Sequence, residues 1–68
     1  MNKLERCFGV RFKVRCIKHL ARGEKWLLEA GKTYEAERVS DNLVDVIGKG
    51  GIVVSLTLKE FNYYCVIL

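Results

Sequence analysis

Cys16 and His19 are the first residues in the chain whose types could do chemistry together, since a thiol beside an imidazole can act as nucleophile and base or as two metal ligands. Their spacing argues against both uses. Residues three apart on an extended strand point to opposite faces, and the chain has no second histidine and no Cys-x-x-Cys pair to complete a ligand set. Cys7 could approach His19, but no spacing requires it. With Cys65 the cysteines number three, an odd count in a chain lacking a secretory signal, so no disulfide framework, metal or other cofactor is expected. Cys16 and Cys65 read instead as small buried hydrophobes.

The remaining candidates for catalysis are no stronger. Glu35 and Glu37 share one face of a strand-like segment, where solvation accounts for them. Gly48-Lys49-Gly50-Gly51 has glycines and a lysine like a phosphate loop, but the lysine does not follow the second glycine and no Ser or Thr comes next. A plain hairpin is expected there. No nucleophile has a base within reach, so the chain reads as a non-enzymatic binding module.

Charge gives the sharper signal. Eight of the twelve Lys and Arg residues, Lys3, Arg6, Arg11, Lys13, Arg15, Lys18, Arg22 and Lys25, lie in the first 25 positions against only Glu5 and Glu24. By direct count that segment carries +6 and the remainder −2. Arg11, Lys13 and Arg15 alternate along one strand face at about 6.6–6.8 Å, close to the separation of successive phosphates on an extended nucleic-acid strand. With Lys18, Arg22, Lys25 and Trp26 they form the candidate binding face, the cations for phosphates or carboxylates and Trp26 for stacking on a base. The partner expected for it is a protein with an acidic surface or a nucleic acid. Such cations also keep a small β domain soluble and discourage edge pairing.

These residues need elements to position them, and 68 residues make a single domain that buries only about 60–65% of its unfolded surface. That leaves room for a binding face and hardly for a cleft. No run approaches the roughly 18–20 apolar residues that cross a bilayer, and residues 1–10 lack the apolar block of a signal peptide, so no membrane contact is expected and the cytoplasm is the expected compartment. Residues 1–9 read as an N-terminal extension. From Val10 to Lys18 the chain alternates, with Val10, Phe12, Val14 and Cys16 on one face and Arg11, Lys13, Arg15 and Ile17 on the other, a half-buried strand. His19 to Lys25 reads as a long exposed loop. A helix over Leu20 to Ala30 competes, but Gly23 interrupts it.

A second strand is expected over Thr33–Val39, a turn at Ser40-Asp41-Asn42, a third strand over Leu43–Ile47 and a fourth over Ile52–Leu56 after the glycine hairpin. Thr57 with Glu60 three residues on suits the start of a single helical turn ending near Phe61. Tyr63–Leu68 closes the chain as a last strand. The predicted core includes Val14, Cys16, Tyr34, Val46, Val53 and Phe61.

This order, together with Leu28-Glu29-Ala30-Gly31-Lys32-Thr33-Tyr34-Glu35 after an extended first strand and the segment Ile52 to Phe61 after a glycine hairpin, resembles small bacterial and phage-encoded SH3-like proteins over residues 10–66. The resemblance implies an all-β fold, a small five-stranded SH3-like barrel over residues 10–68 with one short helical turn, and a phage or prophage accessory protein that binds a host macromolecule through its basic face. It carries no catalytic residues to this chain. The acidic loop and adjacent tyrosines with which eukaryotic SH3 domains bind Pro-rich peptides are missing. Direct DNA or RNA binding is one alternative, and self-association through the apolar segment Tyr63–Leu68 is another.

Overall fold

Alternation in the first strand sets the frame for the whole molecule. The computed structural model describes residues 9–68, and within them Arg11–Cys16 forms β1, with Val14 and Cys16 fully buried and Arg11, Lys13 and Arg15 in solvent. The chain continues through β2 (Leu20–Arg22), β3 (Lys25–Leu28), β4 (Thr33–Ser40), β5 (Leu43–Ile47), a 3-10 turn (Lys49–Gly51), β6 (Val53–Thr57), a helix α1 (Leu58–Tyr64) and β7 (Cys65–Ile67). The mainly β expectation holds. Five strands make one antiparallel sheet in the order β6-β5-β4-β1-β7, and β2 pairs with β3 in a separate hairpin. The five-stranded sheet keeps two edges, β6 and β7, so strand pairing does not close a barrel among the described residues.

One face of this sheet carries the core. Val14, Cys16, Ala36, Val44, Val46, Val54, Leu56 and Cys65 alternate inward, and Leu27, Leu28 and Phe61 cover them from the hairpin and the helix. Phe12 packs edge-on against Phe61 at 6.2 Å between ring centroids. Tyr34 is half-buried rather than fully enclosed, and its hydroxyl accepts the Glu29 amide at 2.8 Å. Arg38 lies on the same inward parity but reaches the rim, where its guanidinium donates to the carbonyls of Ser40 and Asp41.

Several local expectations are corrected. Val53 is 56% exposed, because the 3-10 turn sets Ile47 opposite Val53 and thereby aims Val54 and Leu56 inward. The segment His19 to Lys25 is no loop, since most of it belongs to the β2–β3 hairpin, and the competing helix over Leu20–Ala30 does not form. Gly23, at φ +62°, supplies the left-handed residue of the hairpin turn. The helical turn extends to seven residues, so Tyr63 and Tyr64 belong to α1 and the last strand begins only at Cys65. Its start is as the sequence indicates: the Thr57 hydroxyl accepts the Glu60 amide and the Glu60 carboxylate accepts the Thr57 amide, a reciprocal cap. The expected N-terminal extension lies outside the described residues apart from Gly9, whose amide donates to the Arg38 carbonyl.

Candidate functional site

The seven residues of the candidate binding face do not share one surface. Arg11, Lys13 and Arg15 project from the outer face of the sheet as expected, but their cross-strand neighbours on β4 are Glu37, Glu35 and Thr33. Arg11 lies 3.5 Å from Glu35 and 4.0 Å from Glu37, and Asp45 continues the acidic row on β5 opposite Glu37. Arg11 and Lys13 therefore face carboxylates across the ladder, Arg15 faces Thr33, and of the three only Arg11 comes within ion-pair distance of a carboxylate among the described residues. In the sequence Glu35, Glu37 and Asp45 lie 20 or more positions after Arg15, so only the register of β1 against β4 and of β4 against β5 reveals this acidic row beside Arg11 and Lys13.

Lys18 lies apart from this row. Its ammonium sits 4.5 Å over the centre of the Tyr63 ring on α1, a cation–π contact. Trp26 is half-exposed, yet its ring meets the edge of His19 at 4.8 Å. His19 is also held from the other side, its Nδ1 accepting the Ala30 amide. These contacts give Trp26 and His19 a structural role in fixing the base of the hairpin.

Arg22 and Lys25 form a separate surface. They are directly opposite each other in the hairpin, on the face away from Ala21 and Trp26. Together with Leu27 they line one side of a groove of about 420 Å³, and Ile52 with Val53, Val54 and Ser55 of β6 lines the other. No carboxylate among the described residues lines this groove, and neither Arg22 nor Lys25 makes an ion pair with a described residue. Sequence reading reached Arg22 and Lys25 but missed the β6 wall. Ser55 carried the missing signal: a polar residue within Val53-Val54-Ser55-Leu56 assigns the odd positions to the outside, so Val53 belongs with Ser55 at the surface.

The hairpin is held beside β6 by a close backbone approach. Gly48 lies against the Leu27 carbonyl so tightly that a Cβ there would collide with it. Lys49, next in the turn, donates to Glu29 at 3.1 Å, and the ammonium holds the Glu29 carboxyl below its ordinary pKa. At its other end, Glu29–Lys32 forms a tight turn in which the Lys32 amide donates to the Glu29 carbonyl and Gly31 takes φ +87°. Gly31 then ties back to β1 through the Cys16 carbonyl.

The thiol pair is structural in its setting. Cys16 and Cys65 are opposite each other on β1 and β7 and both are buried. The Cys16 thiol donates to the Lys18 carbonyl at 2.8 Å. Burial pushes the Cys65 thiol up to about 12, with the neighbouring Cys16 adding to the shift, and burial also raises Cys16. Neither thiol has the depressed pKa of a reactive cysteine. No group of three His, Cys, Asp or Glu side chains converges among the described residues, and Cys7 lies outside them. No described helix is long and apolar enough to cross a membrane. No protein-family model, curated protein or solved structure matches the chain.

Proposed function

We propose that this protein is a non-enzymatic binding module that engages an acidic segment of a partner protein through the groove between the β2–β3 hairpin and β6. One observation carries this reading: no carboxylate among the described residues lines the groove that Arg22 and Lys25 face, whereas Arg11 and Lys13 stand opposite Glu37 and Glu35. A nucleic-acid backbone laid along β1 would meet that acidic row, and Trp26, the proposed stacking ring, lies on the opposite hairpin face from Arg22 and Lys25. Both features favour a protein over DNA or RNA. Self-association through the terminal segment is weakened in the same way, because Tyr63 and Tyr64 belong to α1 and only Cys65–Ile67 remains as an edge strand.

The accompanying fold proposal is an SH3-like barrel left open between β3 and β6, supported by the consecutive meander β4-β5-β6 and by the hairpin packed on Gly48. Affinity capture on the immobilised protein, with and without nuclease, tests the function. A captured protein that survives nuclease and is lost with the variant Arg22→Glu/Lys25→Glu is the expected result. Loss of all partners on nuclease treatment would transfer the reading to nucleic acid.

A further inference from the structure

We infer that the edge of β6 facing this groove accepts an extended acidic peptide as an additional strand. This names the binding mode and the partner chemistry for the function proposed above, and it rests on that reading. The Gly48 amide donates to the Ile52 carbonyl across the 3-10 turn. Antiparallel pairs alternate between bonded and non-bonded positions, so Val54 and Leu56 bond inward to Val46 and Val44, and the peptide groups of Val53 and Ser55 point off the sheet. The opposite end of the sheet has the same parity. There the Leu68 amide donates to the Lys13 carbonyl and the Ile17 amide to the Tyr64 carbonyl, as the continuous register requires. Thr57, next in the outward series, already turns its amide to the Glu60 carboxylate, leaving Val53 and Ser55 as the open positions.

Beyond that edge lies the groove with Arg22 and Lys25 on its far wall. An added strand would run about 4.8 Å from β6 and send alternate side chains to opposite sides. Acidic side chains on the hairpin side meet the two cations. On the other side they would meet Asp45, whose carboxylate accepts the Ser55 hydroxyl at 2.6 Å, so apolar side chains beside Val53 fit there. The occupant is therefore a strand with acidic residues at every second position.

A capped hexapeptide alternating Glu and Val is the probe, titrated into labelled protein while amide resonances are followed. Saturable shifts of the Val53 and Ser55 amides, with Arg22 and Lys25, are expected. Val53 is suited to an informative substitution, because Ile52 already has φ −69° and ψ 130°, the conformation a residue before proline prefers. Val53→Pro removes one outward donor while sparing the ladder to β5, and Val53→Ala keeps the donor. Val53→Pro is expected to weaken binding about tenfold and Val53→Ala about twofold. Methylating the peptide nitrogens that face β6 should likewise weaken it about tenfold, and this arm decides if Val53→Pro does not fold. No saturable shift at about 1 mM peptide, or equal binding by the methylated peptide, overturns strand addition. Capture of a protein partner that still depends on Arg22 and Lys25 would then leave the binding function standing, whereas loss of that dependence would remove the function itself.

Discussion

Arg11 shows how a residue's charge in a list differs from its charge in a fold. Its guanidinium is exposed and its two carboxylate contacts, at 3.5 and 4.0 Å, are long, so the pairs themselves contribute little, about 0–1 kcal/mol. Reversal is costlier than removal. Arg11→Ala should change stability by less than about 1 kcal/mol, while Arg11→Glu sets a third carboxylate beside Glu35 and Glu37 and should cost about 1 kcal/mol or more at low ionic strength. Urea titrations at low and high salt check this, and high salt should recover most of the loss. Cys65 makes the second prediction at this scale. Its folded-state pKa is raised to about 12, whereas an unfolded thiol titrates near 8.5. Below about pH 8.5 both states keep the proton and the stability is fully present. As pH rises toward about 12 the unfolded chain releases that proton first, so stability falls with a slope approaching about 1.4 kcal/mol per pH unit. Denaturation between neutral and alkaline pH should show a steeper decline for the parent than for Cys65→Ala.

At the scale of elements, the sequence was legible wherever polarity alternated or a cap was spelled out. Within the strand expected over Val10–Lys18, Arg11–Cys16 alternates without exception and forms β1, whereas Val10, expected on the buried face, lies outside the strand and is exposed; Thr57 with Glu60 forms the cap as read. Legibility failed where apolar residues ran together. Ile52-Val53-Val54 gives no parity by itself, and it takes Ser55 one residue on, together with the turn geometry at residues 48–52, to aim Val54 inward. The β2–β3 hairpin failed for another reason: charged Arg22, Glu24 and Lys25 around Gly23 resemble a loop in composition, while Leu27 and Leu28, which anchor the hairpin, act through long-range burial. Tyr63-Tyr64-Cys65 read as strand because aromatic residues favour strands, yet the cap at Thr57 propagates the helix through both tyrosines. Two substitutions test these elements. Gly48→Ala should destabilise the protein by about 1–3 kcal/mol, because its Cβ meets the fixed Leu27 carbonyl and must push the hairpin away. Thr57→Ala should cost about 1 kcal/mol through loss of the cap. Thermal unfolding measures both, and shifts at Arg22 and Lys25 amides should accompany only the first.

At the scale of the whole molecule, a net charge of +4 attracts any acidic partner from a distance, whichever face it finally meets. Separating this general attraction from a located site requires variants with the same total charge. Arg22→Glu/Lys25→Glu and Lys13→Glu/Arg15→Glu each remove four units and bring the chain to zero, one on the hairpin wall and the other on the outer sheet face. Long-range steering falls equally in both, and about 0.15 M salt screens it beyond about 8 Å. Contact at the groove, in contrast, is lost only in the first. The prediction is that the hairpin variant loses its captured partner at physiological salt, by about tenfold or more in affinity, while the sheet variant stays close to the parent. Both must first give the parent's far-ultraviolet spectrum, since Lys13→Glu faces Glu35 across β4 and carries its own local repulsion. Equal loss in the two variants would mean that binding follows total charge alone. Loss confined to the sheet variant would return the interface to Arg11, Lys13 and Arg15 despite the carboxylates beside them.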